Sequence, residues 1–203
     1  MRIGEKYIAC HIISNIAENI PKTTSCLQTN TCPCLAKRLR TSRFSWASIE
    51  DLNGAHVVID GYNFLITIES LLGGGILIRG RDGCIRDLAG IHGTYRYVEE
   101  TLPAIDLAGR VLRSFGVAHA EWLLDAPVSN SGRLKALLAD QAVEHEWDWD
   151  VRLSKNVDTV LAQNKEIVVT ADSWILDRAE RWVSLADHLI EKLKQPVRII
   201  DLA

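Results

Sequence analysis

A surplus of positive charge is missing from this sequence. Its 23 Lys and Arg face 26 Asp and Glu, a net charge of -3. No global field therefore draws the chain to nucleic acid, and any such contact has to come from a local patch. A disulfide framework is missing too. The 5 cysteines, Cys10, Cys26, Cys32, Cys34 and Cys84, are odd in number and lie mostly in one poorly patterned segment, so a reduced, cytoplasmic setting is expected. Cys26, Cys32 and Cys34 are spaced C-x5-C-x-C, which matches no common zinc pattern. Tyr7–Ala17 is apolar-rich, but His11, Ser14 and Asn15 interrupt it and it falls far short of a membrane span of ~20 residues. A weak signal peptide is the lesser reading of that stretch. Neither the Walker pattern nor the dinucleotide fingerprint occurs, which disfavours nucleotide binding of those kinds.

What is present is an ordinary globular composition: 203 residues, 47% hydrophobic and 24% charged, long enough for one packed α/β domain. Residues 1–46 read unlike the rest, as a poorly patterned N-terminal segment, and the domain is expected over 47–203. Lys37, Arg38, Arg40 and Arg43 form a basic cluster just ahead of the first strand; such a cluster is more often a solvated face than a nucleic-acid patch.

The chain is organised around Val57-Val58-Ile59-Asp60-Gly61-Tyr62-Asn63, a β-branched run that ends on a carboxylate and turns on a glycine. A short apolar run bounded by a polar turn predicts a strand buried on both faces, the kind found in parallel sheets flanked by helices. Ligands of such sheets bind beyond the carboxyl ends of the strands. The pattern recurs in Glu121–Asp125, which ends on Asp125, and in Glu166–Asp172, which ends on Asp172 and is followed by Ser173. Parallel neighbouring strands would align these acids along one sheet edge. Ionised acids so placed repel by about 1 kcal/mol in water and several times more in a low-dielectric cleft, so a shared proton or a divalent cation must offset the cost. A hard cation with oxygen ligands, Mg2+ or Mn2+, is the natural candidate.

Between these strands the pattern predicts the connecting elements. Phe64–Leu72 is apolar and ends at Gly73-Gly74-Gly75, and Ile76–Arg79 and Cys84–Arg86 flank Arg81-Asp82-Gly83 as an inserted β-hairpin. A glycine-spaced loop follows with Asp87 and His92 as candidate binding residues. Tyr95–Phe115 has helical spacing with Pro103 as a break or fresh start. Ala126–Gly132 is a loop of small hydroxyl and amide residues before a helix over Arg133–Glu144, and Ser129 or Ser131 is expected to cap it. The same helix start could hold a substrate phosphate, with Ser129, Asn130, Ser131 and Arg133 as the contacts. Trp147–Leu153 alternates as an edge strand does; Lys155 and Asp158 open a short helix, and Asp172-Ser173 opens another with Asp177 one turn on. Val183–Leu193 reads as a helix and Val197–Asp201 as a final strand. The alternation predicts a right-handed, doubly wound α/β sandwich.

Each acid alone is most simply a helix cap or a surface residue. Together, Asp60, Asp125, Asp158 and Asp172 fall at strand ends or helix starts on the side where such sheets bind ligands, which favours one shared acidic site over four independent caps.

The segments VVIDGYN (Val57–Asn63), NVDTVLA (Asn156–Ala162) and VVTADS (Val168–Ser173) resemble the signature segments of the PIN-like superfamily, in particular its NYN branch of metal-dependent ribonucleases. The resemblance covers roughly Ala55–Ala203. DGYNFLITIES, DGCIRDLAGIHG and LLDAPVSNSGRL are more closely similar to a prokaryotic PIN-like family of unknown function. The resemblance implies a three-layer α/β/α sandwich with a mainly parallel central sheet, here carrying the inserted hairpin. It implies catalytic roles for Asp60, Asn63, Asp158, Asp172 and Ser173, with Asp60, Asp158 and Asp172, joined by Asp125, holding Mg2+ or Mn2+. Where typical NYN members have a second acid close after the late-strand Asp, this chain has Trp174 and next reaches an acid at Asp177.

The function so implied is hydrolysis of RNA phosphodiester bonds. Ser129, Asn130, Ser131, Arg133, Lys155, Asp87 and His92 are candidates around the substrate, and Arg81 and Arg86 are further candidates for backbone contact. Alternatives are a non-catalytic module of the same fold that binds RNA or a partner protein, and a small-molecule phosphatase. The expected partner is RNA, single-stranded or structured; a homodimer is compatible with the reading, and no membrane is expected.

Overall fold

The computed structural model describes residues 45–88, 95–193 and 196–202. The cysteines and basic cluster of the N-terminal segment, and His92 with its glycine-spaced loop, lie outside the described residues.

The first long strand forms where the β-branched run predicts it. β2, His56–Asp60, buries Val57, Val58, Ile59 and Asp60. It lies between two parallel neighbours, β5 (His119–Asp125) and β7 (Ile167–Val169). With β1 (Ser45–Trp46), β6 (Trp149–Ser154) and β8 (Arg181–Val183) they make a six-stranded sheet in the order β1-β8-β7-β2-β5-β6, in which every pairing is parallel. β1 begins at Ser45, just ahead of residue 47 where the domain was expected to start. β6 is an edge strand, as its alternating pattern predicts.

Alternate residues of the central strands feed two separate cores. Val57 and Ile59 pack into the larger one with Phe64, Leu65 and Ile68 of α1 (Gly61–Leu72), Ile105 and Leu112 of α2 (Thr101–Ser114), Leu134 and Leu138 of α3 (Ser131–Glu144), and Leu189 of α6 (Ala186–Lys192). Val58 points the other way and packs with Leu123, Val168, Val157 and Leu161 of α4 (Val157–Ala162), and Ile175 and Leu176 of α5 (Ser173–Leu176). Helices therefore cover both faces, as a parallel sheet requires.

The helical spacing of Tyr95–Phe115 gives a helix only from Thr101, so Pro103 marks a fresh start and not a break within α2. It stands third in the helix, where its missing N–H is one that has no intrahelical partner in any case.

Two expectations need correction. Val183 ends a strand, β8, and the last helix starts only at Ala186; Trp182 and Val183 are buried beside β7, and this burial overrides the apolar spacing that reads as helix. Neither Ser129 nor Ser131 caps α3: the cap position is Asn130, in the left-handed region at φ 68°, while the Ser131 hydroxyl donates to the Ala126 carbonyl at 3.3 Å. The final strand forms as expected, as β9 (Arg198–Asp201), and belongs to a separate sheet. It pairs in parallel with β3 (Ile76–Arg79), which pairs antiparallel with β4 (Ile85–Asp87). The expected hairpin is present and anchors a second, three-stranded sheet.

Candidate active site

The strand order places the site. β2 connects onward to β5 and β6 on one side, and the chain then returns to lay β7 and β8 on the other. Such a reversal opens a crevice at the carboxyl ends of the two strands that flank it, here β2 and β7. Asp60 ends β2, Asp125 ends β5, Asp172 lies just past the end of β7, and Asp158 stands in the first turn of α4, which follows β6. Four adjacent strands thus deliver four acids to one edge.

The acids feel one another. Asp60 is 7% exposed, and its Oδ2 accepts from Thr170 Oγ1 at 2.8 Å. Burial, which strips water from the charged form, pushes its carboxyl up to about 7, and the charges of Asp172, Asp158 and Asp125 push the same way against the Thr170 bond. Asp125 is raised by partial burial and by Asp158; Asp158, on the open rim, is raised by its lost water and by Asp172. The cluster is electrostatically a unit.

Two of these residues also have structural duties. Asp172 is the cap of α5, with Oδ1 accepting from the backbone N–H groups of Trp174 at 2.7 Å and Ile175 at 3.3 Å. Asn63, in the first turn of α1, uses Oδ1 to accept from the Ala171 N–H at 3.1 Å. It ties the helix after β2 to the turn after β7, and so holds Asp60 and Asp172 in register with each other. Ser173 is exposed at the start of α5.

Among the described residues, no group of three or more His, Cys, Asp or Glu side chains is arranged to hold a metal ion. The donor chemistry nonetheless suits a hard cation, since every candidate ligand is a carboxylate. Asp60 and Asp172 each retain one oxygen outside the bonds just described.

The remaining candidates scatter. Ser129 and Lys155 are exposed; Arg133 is exposed on α3, and Ser131 is turned inward to the Ala126 carbonyl. Asp87 ends β4, where its charge helps raise the Glu69 carboxyl, a rise caused first by burial.

Several contributors carry little sequence signal. Thr170 is buried and links Asp60 to the Asp172 backbone, whose N–H donates to its Oγ1 at 3.1 Å. Tyr62 is buried with its hydroxyl unpaired among the described residues; burial, and secondarily Asp125, push it up to about 12. Glu69 accepts from the hydroxyls of Tyr95 and, at 2.6 Å, Thr101, a network between α1 and the segment leading into α2. Only its pairing of a carboxylate with two hydroxyls, far apart in the chain, could have hinted at it.

Arg86, a candidate for backbone contact from the sequence, has the most consequential partners. Its Nε donates to the Ala171 carbonyl at 2.6 Å, and its two terminal nitrogens fork onto Asp82 at 2.9 and 2.5 Å. Asp172 adds to the field that favours its charge. The hairpin therefore reaches the turn that carries Asp172. A Cβ at Gly80 would collide with the Arg86 guanidinium, so glycine there leaves room for the fork. Replacing one partner of a half-buried ion pair strands the other. Arg86→Gln is expected to lower the unfolding free energy by about 1–3 kcal/mol, read by urea denaturation.

The fold is that of an α/β protein with a parallel main sheet, helices on both faces and four acids at the carboxyl ends of adjacent strands. Residues 49–188 match the family described as Domain of unknown function (DUF5616), and the chain belongs to that family. It is 31% identical over 161 residues to uncharacterized protein MJ0935 of Methanocaldococcus jannaschii, an alignment covering 78% of this chain and 76% of that protein. No solved structure matches the chain. Among the described residues no helix is long and apolar enough to cross a membrane.

Proposed function

We propose that this protein is a PIN-like, divalent-metal-dependent ribonuclease. The observation that supports the reading is the mutual elevation of Asp60, Asp125 and Asp158, with Asp172 contributing, at the carboxyl edge of a parallel sheet. A carboxyl pushed up to about 7 by burial first and by the neighbouring acids second is a group waiting for a proton or a cation. Asp60, Asp125, Asp158 and Asp172 are the residues that would hold Mg2+ or Mn2+; bound there, the ion would supply charge neutralisation and an activated water for phosphodiester hydrolysis. Asp60 and Asp172 are held by Thr170 and by the α5 amides, so these two are the fixed members. Asp125 and Asp158 carry no hydrogen bond to another described side chain and would close in on the charge. Asn63 keeps the two fixed acids aligned, and Ser173 and Lys155 flank the crevice where substrate phosphate would lie.

A second reading, a binding module of the same fold without catalysis, is favoured by one observation: the carboxylates are not gathered into a ready cage.

Calorimetric titration of Mn2+ into the metal-free protein separates the two. The nuclease reading expects binding that is lost in Asp60→Asn, followed by Mn2+-dependent cleavage of RNA by the wild type. Absence of heat in both proteins would remove the metal site and with it the nuclease.

A further inference from the structure

A groove with a volume of about 470 Å³ lies between α3 and the segment entering α2. Tyr95 and Tyr97 form one wall; Asn130, Arg133, Leu134 and Asp140 form the other. Asn130 to Asp140 spans ten residues of mostly helical chain, about 15 Å, so the groove runs along α3 from the end nearest Asp125. Its volume lies within the ~300–1,000 Å³ usual for ligand sites.

Continuity with the acids rests on two contacts. Asn130 Nδ2 donates to the Tyr95 carbonyl at 3.1 Å, closing the groove at its near end. The Tyr95 ring packs on that of Tyr62, with centroids 5.3 Å apart, and Tyr62 is two residues past Asp60 with its buried hydroxyl unpaired among the described residues.

The wall chemistry is that of a stacked base. Tyr97 is 48% exposed, Arg133 makes no ion pair among the described residues, and Leu134 lines the floor as an apolar side chain. An exposed aromatic beside a free guanidinium holds a base and its phosphate without reading sequence. Asp140 adds an acceptor suited to an exocyclic amino group, which adenine, cytosine and guanine carry and uracil lacks.

We propose that this groove is a base-stacking subsite for single-stranded RNA: Tyr97 stacks on a base, Arg133 meets the adjoining phosphate and Asp140 accepts from the exocyclic amino group. The proposal rests on the nuclease reading for its substrate class and adds where the strand leaves the acidic crevice.

The test is fluorescence anisotropy with labelled oligoadenylate, oligouridylate and an oligoadenylate containing abasic positions, in chelator so that no cleavage intervenes. Full-length wild type, Tyr97→Ala, Arg133→Ala and Asp140→Asn are compared, with melting temperatures confirming that each is folded. Tyr97→Ala is expected to weaken oligoadenylate binding about 5- to 150-fold, the range for one lost stack, and to bind the abasic strand no more weakly than the wild type does. The wild type should prefer oligoadenylate to oligouridylate, and Asp140→Asn should narrow that preference. Equal affinity of Tyr97→Ala and wild type, or a wild type that binds no RNA, would overturn the subsite; in the latter case a groove that instead binds a protein segment is the occupant left. Loss of the subsite with Mn2+ binding intact leaves the metal site standing, and Tyr97-dependent RNA binding without any Mn2+ binding removes only the nuclease.

Discussion

Asp60→Asn should be more stable than the wild type at pH 8 in the absence of divalent ions, and should be unable to cleave RNA. The carboxyl's ordinary value is 3.8 and in the folded protein it is about 7. Below about pH 4 it is protonated in both folded and unfolded chains and has no effect on stability. As pH rises from there, the unfolded chain releases the proton and the folded one keeps it, so stability falls until the folded group also ionises near 7. At ~1.4 kcal/mol per pH unit the interval corresponds to roughly 4 kcal/mol. Asparagine carries no charge at any pH, and its side-chain oxygen can still accept from Thr170. The variant should therefore melt about 8–15 °C higher at pH 8, at ~2–4 °C per kcal/mol for a chain this size, and the gap should close towards pH 4. Mn2+ should narrow the gap by stabilising only the wild type, by about 2.7 kcal/mol at a hundred times its dissociation constant, and close it at about a thousand times, where the gain is about 4.1 kcal/mol. Thermal scans from pH 4 to 8, with and without Mn2+, read both effects. A variant that melts no higher than the wild type at pH 8 would mean that Asp60 is not an electrostatic burden, and the argument for a cation at this edge would fall with it.

The sheet was legible because its strands are short β-branched runs that stop on polar residues. Val57–Ile59 and Ile167–Val169 have no second reading that buries them as well, and β2 and β7 formed where those runs lie. The acids were legible for the same reason, since a strand that ends on Asp says where the carboxylate will be. What could not be read was anything fixed by contact between distant segments. β8 is not legible as a strand, since its last residue, Val183, reads as the start of the following helix, and it is a strand through its pairing with β7. β9 pairs with the hairpin rather than the main sheet, a choice between two edges that its own residues do not encode. Asn130 occupies the cap of α3 in a left-handed conformation that asparagine tolerates and the serines beside it do not favour. Asn63 and Arg86 drew notice as site residues, but their partners, the Ala171 N–H and the Ala171 carbonyl, are backbone groups about a hundred residues away, and backbone leaves no mark in a sequence.

Gly61→Ala should remove a sizeable share of the protein's stability, although it adds a single methyl group. Gly61 is the first residue of α1 and directly follows Asp60. A Cβ built there would stand 2.6 Å from Leu124 Cδ2 and 2.7 Å from the Leu123 carbonyl oxygen. The leucine methyl could turn away. The carbonyl cannot, because it belongs to β5, which is hydrogen-bonded in register to β2 on one side and β6 on the other. Relief must then come from moving the start of α1 away from the sheet, which opens the larger core at Phe64 and Leu65. Overpacking of this kind costs about 1–3 kcal/mol, occasionally more, against a total of about 5–15 kcal/mol for a typical domain. The displaced helix also carries Asn63, so its bond to the Ala171 N–H should lengthen and the Asp60–Asp172 alignment should loosen. Urea unfolding is expected to show a midpoint lowered at unchanged slope, and Mn2+ affinity should fall even where the variant remains folded. Gly74→Ala gives the contrast: that residue has φ +68° but nothing within 4 Å of the added Cβ, so backbone strain of ~1 kcal/mol and no loss of Mn2+ affinity are expected. Because Gly61 is not in the left-handed region, destabilisation no greater than that of Gly74→Ala would show that β5 and α1 accommodate the added methyl and that their close approach does not require glycine after Asp60.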